Sequence, residues 1–398
     1  MWGNRTGRVA RWARADAVLG LCIGAYLATR FSQVIVGPLV PLIRGEFAVS
    51  RGAIGTALTG MWVAYALLQL PSGVLGDRLG ERRVVLVALG TTTGAAFGVA
   101  VAPTFLAFAV ALVGLGVGAG VYYNPATALL TREADEIGGA IGTHRVGGQV
   151  AGVVAPVVAA TVGVRYGWRP AVGVGALLAV VAGGLFFRSR SPSGPASPET
   201  SLRALLDPRD LLNLLTRPHA RNTTFLMTLV EFVGLAAMAF LPTFLVERHG
   251  FSVQRANLLF TVFFGVSTLC QPLGGWLSDW IGRDATVAVQ SMAGAIGYGA
   301  LVAGGASVVV VPAVVLAGVA TSGTPVLQSR MMDGLTAATR GRGFGLFRTT
   351  YLLISATGTA VVGTTADVVG WNASFGLLAG LLCVVLLSLV VIGVRNRT

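Results

Sequence analysis

The stretch "GVLGDRLGERR", Gly73 to Arg83, returns later in the chain as "GGWLSDWIGRD", Gly274 to Asp284. Gly73, Asp77 and Gly80 match Gly275, Asp279 and Gly282, each 202 positions further on. The correspondence extends outward from there. Arg145 is followed 22 and 23 residues later by Gly167 and Trp168, and Arg348 at the same distances by Gly370 and Trp371. Pro41 pairs with Pro242, and Pro125 with Pro325. Matches in order at nearly one offset mark a duplicated unit that fills the chain.

Composition says what medium the unit is built for. Of 398 residues, 54% are hydrophobic and 11% charged, with a mean hydropathy of +0.76. Soluble domains carry about 25% charged residues, so this is an integral membrane protein. Apolar runs of spanning length fall at 17–40, 53–76, 84–102, 104–130, 140–163, 168–187, 221–246, 255–278, 286–304, 307–330, 343–366 and 371–394. They predict an all-α fold of twelve transmembrane helices in two pseudo-symmetric bundles of six. The bundles cover 1–187 and 221–398. Between them lies a Pro-, Ser- and Arg-rich loop, 188–220, with an amphipathic stretch near Ser201 to Leu215. The N-terminal "MWGNRTGRVARWARADA" reads as a headgroup-lying lead-in and not as a cleaved signal, because the apolar run behind it is long enough to span.

All 29 basic residues are Arg, and the formal charge is +13. The charge follows membrane topology, which argues against nucleic acid as the partner. Twenty Arg fall on the side of the termini and six on the other. The excess of Arg on cytoplasmic loops places both termini and the central loop in the cytoplasm of a multi-pass plasma-membrane protein. Cys22, Cys270 and Cys383 sit singly in apolar runs without metal-ligand spacing. No catalytic constellation, phosphate loop or soluble catalytic domain is legible, so an enzyme is not expected, nor a cofactor or metal.

At the repeated loop the chain resembles the major facilitator superfamily of secondary transporters, over essentially its full length. That family's signature between segments 2 and 3 is present as Gly73, Asp77, Arg78, Gly80, Arg82 and Arg83. A weaker copy between segments 8 and 9 is Gly275, Asp279, Gly282 and Arg283. The resemblance implies two bundles rocking about a midplane site, a small-molecule substrate, and monomers in the bilayer. Gly73 and Gly275 are expected to admit a close neighbouring helix. Asp77 and Asp279 are expected to bind the positive N-terminal ends of segments 11 and 5. Those segments open with Arg348 and Arg145, which would pair across the bundle boundary and close the cytoplasmic side.

Polar residues at membrane depth suggest the site. Tyr26, Arg30, Gln33 and Gly37 share one helical face. A guanidinium at mid-membrane costs about 2.5–3.5 kcal/mol on insertion scales, so it is expected to face protein or water. Glu231, the one deep acidic residue, lies eleven positions before Pro242, as Arg30 lies eleven before Pro41. The repeat therefore makes them pseudo-equivalent. Arg30 is read as an anion site and Glu231 as the titratable group that couples a proton; sodium is the other candidate coupling ion. A structural Arg30–Glu231 pair is the competing reading. Tyr65, Gln69, Tyr123, Asn124 and Gln149 are further substrate candidates, and Tyr122, Gln271, Thr321, Ser322, Thr324 and Gln328 are polar at similar depth.

An Arg in segment 1 followed by "YALLQLPSGVLGDRLGER" is weakly similar to the anion:cation symporter branch, which implies an organic anion as substrate. Thr29 stands where that branch has an acidic residue, and its segment-4 Arg and Glu have no match in Gly114 to Gly120. The runner-up is a drug–proton antiporter. The helix-5 signature of those proteins is blurred here to Gly148, Gly152, Pro156 and Ala159-Ala160. A transport-dead membrane sensor is the third reading.

Overall fold

A computed structural model describes residues 3–133, 136–189, 209, 216–304, 307–335 and 340–395, with side chains of the first helix described from residue 15. The amphipathic stretch expected near 201–215 lies outside the described residues, Arg209 excepted. Among the described residues fifteen α-helices are formed, and no strand. They are α1 Gly3–Val34, α2 Val36–Phe47, α3 Arg51–Leu79, α4 Glu81–Val101, α5 Phe105–Glu133, α6 Ile137–Val158, α7 Val164–Tyr166 and α8 Trp168–Arg188. The second half contains α9 Pro218–His249, α10 Val253–Ile281, α11 Arg283–Ala303, α12 Ser307–Thr321, α13 Thr324–Asp333, α14 Arg340–Val368 and α15 Trp371–Arg395.

Twelve spans result, because three of them are interrupted. Pro38 has no N–H to give Val34, and its ring crowds that carbonyl. The first span accordingly breaks at Ile35, between α1 and α2. Pro325 stands in the same relation to Thr321, and the tenth span breaks at Ser322–Gly323. Pro156 precedes a π-helical turn, Ala159–Gly163, between α6 and α7. Eleven spans are apolar enough to cross a membrane by length and composition. The remaining one, α14, is made more polar by Thr349, Thr350, Thr357, Thr359, Thr364 and Thr365. The chain is a multi-pass membrane protein.

The repeated glycines have a conformational role. Gly80 (φ 88°) and Gly282 (φ 87°) turn α3 into α4 and α10 into α11, while Gly167 (φ 93°) and Gly370 (φ 104°) lead into α8 and α15. Each is a one-residue corner in the left-handed region that only Gly enters freely. Gly73 and Gly275 behave differently from expectation, since a Cβ at either would meet nothing within 4 Å. The close approach falls on their neighbours instead: Gly76 lies against Pro125, and Gly274 against Gln290.

The halves meet along three helix pairs: α2 with α9, α3 with α14, and α6 with α10. Gly37 is pressed on the backbone of Met238, and Gly55 on that of Thr359, so neither position has room for a side chain. At the end opposite the termini, charges tie the seam. Glu247 of α9 is ion-paired with both Arg44 and Arg51 of the first half. Asp367 accepts from the backbone N–H groups of Arg51 (3.1 Å) and Gly52 (2.7 Å), and pairs with the Arg51 guanidinium at 3.2 Å. A carboxylate from one half thus sits on the N-terminus of a helix from the other, where backbone donors and the helix dipole favour negative charge. Trp371 completes the network: its Nε1 donates to Glu247 at 3.0 Å, and its ring lies 5.2 Å from the Arg51 guanidinium carbon.

These side chains are about three-quarters buried, and a networked pair of this kind is worth on the order of 1 kcal/mol. Glu247→Gln is therefore expected to raise the population open at this end about fivefold. With the three native cysteines replaced, spin labels at Thr104 and Gln254 report it as a growth of the longer-distance population; an unchanged distribution counts against the tie.

Candidate functional site

A central cavity of about 190 Å³ lies on the seam, lined by residues of both halves. From the first half come Tyr26 and Arg30 of α1, Trp62 and Tyr65 of α3, and Arg145, Gly148 and Gln149 of α6. The second half contributes Glu231 and Gly234 of α9, Phe263, Phe264 and Gln271 of α10, Thr324 and Gln328 of α13, and Arg348 and Tyr351 of α14.

Local packing explains why these side chains converge. The alternating glycines of α5 wedge it between two neighbours. Gly114 and Gly118 lie on Ala95 and Thr92 of α4, and Gly116 and Gly120 on Met61 and Tyr65 of α3. The helix axes can approach closely there, which fixes α3 and its two cavity aromatics. Trp62 and Tyr65 pack edge-to-face at 5.7 Å, a favourable aromatic geometry. Arg30 lies 5.5 Å from the Trp62 ring centre and donates to Gln33 Oε1 at 3.0 Å. Arg348 donates to the Tyr65 hydroxyl at 2.9 Å and stacks 4.5 Å over Tyr123. Each cation is oriented by neutral groups and an aromatic face.

Of the eight substrate candidates, Tyr26, Arg30, Tyr65 and Gln149 line the cavity directly. Gln33 stands behind Arg30, and Tyr123 behind Arg348. Gln69 and Asn124 do not line the cavity: the Asn124 amide donates to the Gln69 backbone carbonyl and, at 3.3 Å, to Ser72. Gln149 spans the seam, donating to Gln271 at 3.0 Å and accepting from Thr268 at 3.1 Å. Ser322 does not line the cavity either, accepting from Gln290 at 3.0 Å.

Glu231 accepts from the Thr324 hydroxyl at 3.2 Å. Thr324 is the first residue of α13, delivered to the cavity by the break at Pro325. Arg30 and Glu231 line one cavity without forming an ion pair; Gln33 and Thr324 are their partners instead. Thr29, where an acidic residue would be expected by the branch resemblance, is buried and bonds back to the carbonyls of Ala25 and Tyr26.

Among the described residues the expected gating contacts are not made in this conformation. α6 and α14 begin well before Arg145 and Arg348, so both arginines sit about two turns inside their helices and line the cavity. Asp279 lies 3.9 Å from Arg283 of its own half, and Arg283 bonds Asp333 at 2.7 Å. Arg82 donates to the carbonyls of Phe187 (2.7 Å) and Ser189 (3.0 Å), closing the end of α8. Arg83 is exposed, and Arg78 belongs to the same surface. Trp62 and Tyr351, not singled out from sequence, complete the site. Their signal was present: Trp62 falls on the Tyr65 face of α3, and Tyr351 one turn after Arg348.

The model of the Major Facilitator Superfamily matches residues 22–301 and 223–398. The chain belongs to that family. A "Nitrite extrusion protein" of Bacillus subtilis is 24% identical over 253 residues, covering 62% of this chain and 61% of its own length. A "Hexuronate transporter" of the same organism is 20% identical, covering 61% and 59%. The "Probable sulfoacetate transporter SauU" of Cupriavidus necator is 25% identical, covering 66% and 65%. The matched region thus spans less than two thirds of each of these relatives. All three are named as transporters, not enzymes. Among solved structures, the nucleoside transporter NupG superposes with a TM-score of 0.78 at 16% identity, covering 94% of this chain and 98% of that one. A bacterial homologue of the lysosomal transporter Spinster gives 0.79 at 15%, covering 95% and 96%. At such identities the likeness concerns the fold alone.

Proposed function

We propose that this chain is a secondary transporter that moves a small organic anion across the cytoplasmic membrane by alternating access. The observation that carries the reading is the cavity's charge: among the described residues three guanidiniums, Arg30, Arg145 and Arg348, face a single carboxylate, Glu231. Such groups are costly at membrane depth and are kept where they line a path for solute or proton. The relatives named for nitrite, hexuronate and sulfoacetate support an anion.

In this reading Arg30 binds the substrate's anionic group. Glu231 is the proton-coupling group: its protonation withdraws the competing negative charge. Both termini and the 188–220 loop are cytoplasmic, by the distribution of Arg. The outer end is then the one tied by Glu247 and Asp367. Because α3 and α14 run antiparallel, Asp77 offers the start of α14 the contact that Asp367 makes with the start of α3. Tilting one bundle on the other would exchange the first contact for the second. The bundles correspond to 1–187 and 221–398.

Ligand-induced thermal shift on the purified chain tests the anion site. A binding anion at about ten times its Kd should stabilise wild type by roughly 1.4 kcal/mol and leave Arg30→Gln unmoved. Stabilisation by cationic drugs alone would favour a drug–proton antiporter.

The coupling role of Glu231 has its own readout. Proteoliposomes containing Glu231→Gln should retain counterflow within about fivefold, a loss near 1 kcal/mol, while accumulation driven by a proton gradient disappears. Accumulation at the wild-type level would exclude Glu231 as the proton site.

A further inference from the structure

The cavity holds more positive charge than the described residues neutralise. None of Arg30, Arg145 and Arg348 is ion-paired with a carboxylate among those residues. Gln33, Trp62, Tyr65 and Tyr123 orient two of the guanidiniums without cancelling their charge. The Nε of Arg348 is buried and has no hydrogen-bond partner. With Glu231 ionised, two positive charges remain unmatched, and in a low-dielectric site such charges require counter-charge from the ligand.

Size points the same way. About 190 Å³ is room for roughly six waters at about 30 Å³ each, far more than nitrate or nitrite fills. The cations also come from opposite halves, Arg30 on α1 and Arg348 on α14. Each lies against a different aromatic of α3, one turn apart. Trp62 and Tyr65 on one wall and Phe263 and Phe264 on another suit an apolar or aromatic body between charged ends.

Resting on the anion reading above, we propose that the preferred substrate is an organic acid with two anionic groups. One group is held by Arg30 and the other by Arg348. Arg145 supplies the third positive charge of the cavity, and Glu231 is its internal counter-charge. A substrate held at both ends bridges the two bundles. A single-headed anion of the same body would leave one guanidinium without a counter-charge, which is how Arg348 sets specificity.

Succinate and sulfoacetate, against acetate, methanesulfonate and nitrate, test this on the full chain by thermal shift and by counterflow in proteoliposomes. The two dianions should bind at least about tenfold tighter than any of the three monoanions, the equivalent of one added charge contact. Arg348→Gln should cost the dianions about tenfold and bring their advantage down toward one. Should that variant fail to fold, Arg348→Lys keeps the charge but not the planar fork and should lose an intermediate amount. The wild-type comparison decides without any variant. Monoanions binding as tightly as dianions would overturn the two-headed substrate and leave the anion reading standing. If no anion of either kind stabilises the protein or exchanges, the anion reading fails, and this inference with it.

Discussion

Positive charge held in the seam between two helix bundles is the constraint on which the rest of this molecule depends. A guanidinium cannot be left facing lipid, so each cavity arginine needs a wall that orients it while leaving its charge available. Most of that wall is α3, which presents Trp62 to Arg30 and Tyr65 to Arg348. The position of α3 depends in turn on residues with no side chain: Gly116 and Gly120 let α5 lie directly on Met61 and Tyr65. A glycine run that is chemically silent therefore determines where two cations sit. Enlarging Gly116 or Gly120 would act on the cavity without touching it.

The same helix carries the tie at the seam's other end. Its first residues, Arg51 and Gly52, receive Asp367 on their backbone N–H groups, and the Arg51 side chain reaches Glu247. Gly55 then brings α3 against Thr359, one turn further in. The contact with α14 thus passes from ionic at the surface to close-packed, and then to polar at the cavity, where Arg348 meets Tyr65. Cavity and tie share the same two helices, so a rotation of α14 on α3 that breaks the tie would also shift Arg348 relative to Tyr65.

Much of this was legible in the sequence. Helix number and limits follow from apolar run length, and the internal repeat from Gly80/Gly282 and Trp168/Trp371. Arg30 and Glu231 could be assigned to one cavity because their spacing to Pro41 and Pro242 is equal. What failed to show was direction and depth. Asn124 and Gln69 fall near the right level, but a Gly-rich helix packs so closely on α3 that the Asn124 amide reaches the Gln69 backbone. Arg145 and Arg348 read as gate residues because their apolar runs begin near them. The helices start about two turns before each arginine, at Ile137 and Arg340, which brings both side chains to the depth of the cavity. The charge tie at Glu247 and Asp367 was invisible for a different reason: its partners are 196 to 316 residues apart, and nothing local in either stretch requires the other.

The repeat itself explains why the site is asymmetric. Duplication gives matched backbones, so residues at equivalent depths begin alike and differ only where selection has separated them. Glu46 and Glu247 both accept from the Trp that opens the last span of their half, at 2.5 and 3.0 Å. Yet Glu46 is paired with Arg169 of its own bundle, whereas Glu247 takes Arg44 and Arg51 from the other. Arg132–Glu81 and Arg330–Asp284 likewise repeat one helix-end pairing in each half. At the cavity Arg145 and Arg348 remain a matched pair, but Arg30 is opposed by Glu231. Opposite charges that share a cavity but are held apart, by Gln33 on one side and Thr324 on the other, keep the halves together while leaving the guanidinium open to a ligand.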